Sequence, residues 1–237
     1  MIALALGTGL AVGGGLLAGG AYYPNAPIFG PVVGRGPKTR RELYLTFDDG
    51  PNPRSTPTIL EALDRERVPA AFFMVGDHVS RFPQVARAVA SQGHEIGNHT
   101  AHHRKLHLLG PRAVARELGQ ADRTIGETVG SRPRLFRAPH GFRNPFVAGS
   151  ARRLGYRTVG WTFGVWDSDP IDAGEIRCRV RDRLRPGAII LLHDGDGYDP
   201  GGDRRATAAA LPGILRDAFD AGYRFRSLPE LWSLLSA

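Results

Sequence analysis

Leu43-Tyr-Leu-Thr-Phe-Asp48-Asp49-Gly50-Pro51 is the stretch from which the fold is read. A short apolar run bounded by a turn reads as a buried strand. Two adjacent carboxylates stand at its carboxyl end. Side chains that follow one another in a straight strand point to opposite faces. The Gly-Pro turn lets both carboxylates leave the strand together, so that one can bind a metal while the other takes a proton. The plain alternative is an Asp-Gly turn in which one carboxylate caps backbone amides.

The same unit recurs downstream. Further strands are expected at 70–75, 94–98, 135–138, 158–162, 188–192 and 223–227. Helices are expected between them at 58–66, 82–91, 111–129, 145–154, 175–184, 207–221 and 229–235. Gly93, Gly155, Pro186-Gly187 and Gly222 mark the joints. Strand–helix alternation implies a parallel sheet with helices outside it. Seven units predict an α/β fold with a distorted (β/α)7-type barrel in a single catalytic domain, with an open doubly wound sheet as the alternative.

Ionisable residues gather at the carboxyl ends of these strands. Asp48 and Asp49 follow the first, His99 and His103 the third, and Arg137 to Gly141 the fourth. Asp167 follows the fifth, and His193 and Asp194 end the sixth. In α/β barrels that face carries the active site.

Each segment suggests its own chemistry. Five of the eight histidines lie from His94 to His107. His99 and His103 are four apart, a spacing that can put two imidazoles on one metal; His102 is a rival second ligand. Two histidines and an aspartate leave positions open for water and substrate, as catalytic sites require. Arg137 can hold an aspartate ionised and oriented, or be a routine buried ion pair. The backbone at His140-Gly141 can approach a substrate oxygen. His193, ending a buried strand, suits a general acid, and Asp167 can orient it. Trp161 and Trp166 can offer a sugar platform or simply pack.

The 237 residues are 42% hydrophobic and 23% charged, an ordinary globular balance that excludes a disordered or collagen-like chain. Cys178 is the single cysteine, so neither an intrachain disulfide nor a four-cysteine zinc site can form. Net charge is +8, and Lys38 and Lys105 are the only lysines. The arginines are scattered rather than blocked, so no nucleic-acid partner is expected and an anionic polymer such as cell wall is compatible. Residues 2–22 carry no charge and include seven glycines. They read as a hydrophobic signal peptide or membrane anchor (1–22), giving an extracytoplasmic protein, membrane-anchored or secreted. Residues 23–41, rich in Pro and Gly, read as a linker, and 42–237 as the catalytic domain. A monomer is expected. Loop 197–205 lies on the active face with no role assigned.

The Thr-Phe-Asp-Asp-Gly-Pro, His-Thr-x-x-x and Leu-Leu-His-Asp segments, in that order, resemble those of the polysaccharide deacetylases, the family-four carbohydrate esterases. The resemblance covers about residues 42–235. It implies a distorted β/α barrel that removes acetyl groups from N-acetylglucosamine polymers or xylan. By that resemblance Asp49, His99 and His103 match the metal triad for one divalent ion, most often zinc, with cobalt or nickel as alternatives. Asp48 matches the catalytic base, Arg137 the residue orienting it, His193 the general acid and Asp167 its tuning acid. Leu191 matches the pocket for the acetyl methyl, and Thr100 a brace of the metal loop. The family often has tyrosine where His140 stands, leaving a backbone oxyanion role to this position. The spacing in Trp161-Thr-Phe-Gly-Val-Trp166-Asp167 departs from the family's commonest form. A non-catalytic glycan-binding domain and a metal-dependent phosphoesterase or nuclease are the competing classes.

Overall fold

The computed structural model describes residues 19–202 and 204–235, and it places β1 (Glu42–Asp48) in the interior of a parallel sheet. The other strands are β2 (Ala70–Met74), β3 (Glu95–Asn98), β4 (Leu135–Phe136), β5 (Arg157–Thr158), β6 (Phe163–Gly164), β7 (Ala188–His193) and β8 (Arg224–Phe225). Their order is β5-β4-β3-β2-β1-β7-β6, with β8 paired to the first residues of β1. Eight helices surround the sheet: α1 (Ser55–Glu66), α2 (Gly76–Arg81), α3 (Pro83–Ser91), α4 (Pro111–Val129), α5 (Pro145–Arg153), α6 (Ala173–Arg181), α7 (Arg205–Asp220) and α8 (Leu228–Leu235), counted among the described residues. This is the distorted (β/α)7-type barrel, in one domain, that the alternation predicts.

The central strands are apolar throughout because both faces are covered. On β1, Leu43, Leu45 and Phe47 face outward. They share a core with Ile59 and Leu63 of α1 and with Leu211 and Leu215 of α7. Tyr44 points inward, beside Phe73 and Ile189 of the flanking strands. Full burial of such a side chain contributes about 1.5–3 kcal/mol. Thr46 and Asp48 continue the inward row, so strand alternation aims Asp48 into the barrel.

Two expectations change. The run expected as one strand over 158–162 is divided: β5 ends at Thr158 and β6 starts at Phe163, and these two strands are the opposite edges of the sheet. Residues 159–162 therefore step across the barrel's seam. An extra helix, α2, precedes α3 where a single helix is expected.

The Pro/Gly-rich segment is seated on the domain instead of hanging free as a spacer. Val33 bridges Val159, and Arg35 bridges Ala188, one on each side of the seam. Gly160 N–H donates to Val33 O at 2.9 Å, and the Thr162 hydroxyl donates to Gly34 O at 2.8 Å. Sheet edges hold unpaired backbone groups, and this segment satisfies them. The expected hydrophobic anchor or signal falls largely on residues 1–18, outside the described residues; within the described residues no helix is long and apolar enough to cross a membrane.

Candidate active site

The carboxyl ends of β1, β3 and β7 and the turn after β4 converge on one cavity of about 660 Å³. Asp48, Asp49, His99, His103, His140, Trp161, Leu191 and His193 all line it. A larger cleft, about 1140 Å³, opens at the other end of the sheet beside Glu95, Arg134 and Arg157, away from these groups.

Asp49 leaves the strand in the left-handed region, with φ 73°. That turn brings its carboxylate to the same mouth as Asp48. His99 Nε2 and His103 Nε2 lie 3.3 and 3.0 Å from Asp49 Oδ1. That oxygen is buried and has no hydrogen-bond donor. Bonds of 2.0–2.1 Å to a tetrahedral ion would separate neighbouring ligand atoms by about 3.3–3.4 Å. The triad thus fits a divalent cation: three donor atoms face one point, and one is otherwise unsatisfied. Burial alone would raise the Asp49 pKa, but the His103 and His99 imidazoles hold it well below the usual carboxylate range.

The supports of this triad are buried too. His99 Nδ1 donates to Arg137 O at 2.8 Å, which leaves Nε2 bare for a ligand. His78 Nδ1 donates to Asp49 O at 2.8 Å. Asn98 Oδ1 accepts from Thr100 N–H, and Thr100 O accepts from Gly76 N–H. Thr100 braces the loop through its backbone; its hydroxyl is buried without a partner. The rival ligand His102 is turned away, because its ring and its N–H both bond to the Glu117 carboxylate.

Arg137 is fully buried. Its Nη1 donates to Asp48 Oδ1 at 2.6 Å and to the Thr46 hydroxyl at 2.9 Å, and Nη2 donates to Gly160 O at 2.8 Å. Its guanidinium carbon lies 4.2 Å from the Phe73 ring centroid. Burial lowers the Arg137 pKa, and the Asp48 carboxylate pulls it back up. With Oδ1 held, Asp48 presents Oδ2, which is 3.8 Å from His99 Nε2.

His193 is the register partner of Asp48 on the neighbouring strand. Its Nδ1 donates to Asp167 Oδ1 at 2.9 Å, and its backbone N–H donates to Asp167 Oδ2 at 2.8 Å. The Thr207 hydroxyl on α7 also donates to Oδ2. Burial opposes the charged imidazole, but Asp167 outweighs it and raises His193 to about 9. The unusual spacing after Trp161 is absorbed by Trp166, at φ 58°, which turns the chain so that Asp167 meets His193.

His140 sits at φ 57° in a tight turn. Its ring borders the Tyr198 hydroxyl at 2.8 Å. Burial and the neighbouring His103 lower its pKa to about 4. Six non-glycine residues of the described chain have positive φ, and five are Asp49, Thr100, His103, His140 and Trp166. Strained backbone of this kind gathers at functional sites.

The polysaccharide deacetylase family profile matches residues 35–159. The chain belongs to the polysaccharide deacetylase family. It is 37% identical over 200 residues to a chitooligosaccharide deacetylase of Bradyrhizobium sp. (strain ANU 289), covering 81% of this chain and 90% of that one. It is 36% identical over 207 residues to a peptidoglycan-N-acetylglucosamine deacetylase of Bacillus cereus, covering 85% and 93%. A solved peptidoglycan N-acetylglucosamine deacetylase, bound to 4-naphthalen-1-yl-N-oxidanyl-benzamide, superposes with a TM-score of 0.79 at 29% identity, covering 84% and 92%.

Sequence reasoning overlooks several groups in this polysaccharide deacetylase. His78 and Asn98 act from behind the triad and have no local signature. Asp194 is buried under Gly50 and takes a hydrogen bond from Thr56. Burial raises its pKa to about 7, against that hydrogen bond and together with the Asp49 and Asp48 charges. Tyr22, Pro24 and Tyr198 also line the cavity. Their only sequence signal is an aromatic or proline in a segment that reads as linker or loop.

Proposed function

We propose that this chain removes N-acetyl groups from an N-acetylglucosamine polymer of the cell-wall or chitin type, with one divalent cation held by Asp49, His99 and His103. The observation that carries the reading is the placing of Asp48, tied to Arg137, beside the triad and opposite His193. The two-nitrogen, one-oxygen donor set suits zinc, with cobalt or nickel as alternatives. The bound cation supplies Lewis acidity, polarising the amide carbonyl and lowering the pKa of water.

This chain's own groups do the rest. Asp48 Oδ2 accepts the proton of the attacking water, while Arg137 fixes the carboxylate through Oδ1. The His140 N–H faces the developing oxyanion. Leu191 contacts the acetyl methyl, and Trp161 borders the sugar. The Asp167 carboxylate favours the charged His193 imidazole, so Nε2 gives a proton to the amine as the C–N bond breaks. Asp167 keeps the Nδ1–H, so the proton that leaves is the one on Nε2. Acetate and a free glucosamine unit result. Every catalytic group comes from one chain, which supports a working monomer. The apolar residues 2–22 support an extracytoplasmic enzyme, anchored or secreted.

The test is acetate release by the full chain from peptidoglycan, chitopentaose and acetylxylan. It is run after metal stripping and after zinc, cobalt or nickel add-back. Metal-restored acetate from the first two is expected. Stoichiometric metal binding without acetate from any of them would leave a glycan-binding protein instead.

A further inference from the structure

The segment that leads into the barrel is also part of its active-site cavity. Ala21 O accepts from Arg143 N–H at 3.1 Å, just after the His140-Gly141 turn. Arg143 Nη2 donates to Ala26 O at 2.5 Å and to Pro24 O at 3.3 Å. Asn25 Nδ2 donates to Trp161 O at 2.8 Å. Three glycines from separate parts of the chain leave room for this path. A Cβ on Gly141 would stand 2.6 Å from Pro24 Cγ, and one on Gly34 or Gly160 would overlap the Asn25 carboxamide. The fit is therefore built from both sides.

At its end this strap presents Tyr22. The ring packs edge-on against Phe142, 5.2 Å between centroids at 78°, and against His107, 5.1 Å at 62°. It remains 53% exposed at the rim of the cavity that holds Asp48, His193 and Leu191. A rigid aromatic held by its edge keeps a free apolar surface with a polar tip, which suits the C–H face of a neutral pyranose beside its hydroxyls.

We infer that Tyr22, braced by Pro24 and Asn25, is a platform for a sugar unit next to the one being deacetylated, so that the N-terminal segment sets the preference for oligomers over small acetyl compounds. This inference rests on the deacetylase reading. Tyr22 touches no reacting group, so its loss changes KM and leaves the chemical step.

The test uses the full metal-loaded chain with chitopentaose and a small aryl acetate. Tyr22→Ala is expected to raise KM for chitopentaose about five- to tenfold, the usual effect of truncating an aromatic anchor. The kcat for that substrate and the aryl acetate rate should hold. Tyr22→Phe, which keeps the ring, should retain most of the wild-type KM, and Asn25→Ala should behave like Tyr22→Ala. An unchanged KM in Tyr22→Ala would overturn the inference, as would equal losses on both substrates, since those would mean a merely structural role. A wild type that releases no acetate would refute the deacetylase reading separately. Calorimetric affinity for chitopentaose then decides the platform: weaker binding by Tyr22→Ala supports it, and equal or absent binding by both proteins overturns it.

Discussion

Asp48 and His193 stand opposite one another in the register of two adjacent parallel strands, β1 and β7. Each is the last residue of its strand. Each is held by one buried partner from another segment: Arg137 for Asp48, and Asp167 for His193. A carboxylate and an imidazole are thus fixed side by side, each paired to a group of opposite charge. The separation of roles follows from which atoms remain free.

Asp48→Asn is expected to keep the metal and lose activity, because the triad does not include Asp48. Loss of a general base costs about 10²–10⁴-fold in rate. His99→Ala should lose metal and activity together. Metal content by mass spectrometry beside acetate release checks both. Equal metal loss in the two variants would sink the division of labour.

Asp167→Asn removes the charge that raises His193. Activity that needs the charged imidazole is present below its pKa and falls as pH rises through it. With His193 at about 9 the alkaline limb lies above neutrality; in the variant it moves to lower pH. A cation at the triad lowers both limbs by its own charge, so the wild-type-minus-variant difference is the reading. A kcat/KM profile from pH 6 to 10 with an unmoved limb would remove Asp167 from this role.

Gly197 lies against the His103 ring, close enough that a Cβ would collide with it. Gly197→Ala is expected to displace His103 and weaken metal affinity by about 10–100-fold, as disturbed ligand supports do. Gly197 is buried but lies in an irregular loop outside the hydrophobic core, so the melting temperature without metal should stay near the wild type. A chelator-competition titration measures the affinity, and an unchanged value would show that the loop yields instead.

Much of this site is legible in the sequence, since its groups sit at strand ends beside local turn signals: Asp48-Asp49-Gly50-Pro51, His99 and His103, His193. What is not legible depends on distant partners. Glu117 decides between His102 and His103 from the next helix. The strap reads as linker because Pro and Gly suit a flexible spacer and a close-packed path equally. The run 158–162 reads as one strand because nothing local marks a change of sheet edge. His78 and Asn98 work through the backbone of the metal loops, which leaves no pattern to find.

Arg137 tests how far stability and function share one contact. Its guanidinium is fully buried and donates to Asp48, Thr46, Val159 O and Gly160 O. Removing one partner of a buried ion pair costs about 3–5 kcal/mol, because the other charge is left uncompensated. Arg137→Met should therefore lower the melting temperature sharply and abolish acetate release. Combining it with Asp48→Asn removes the stranded charge, so the double variant should recover part of the stability and none of the activity. If the double variant were no more stable than Arg137→Met, the cost would lie in the carbonyls of Val159 and Gly160 at the seam. Arg137 would then be chiefly a clasp for the barrel rather than the counterion of Asp48.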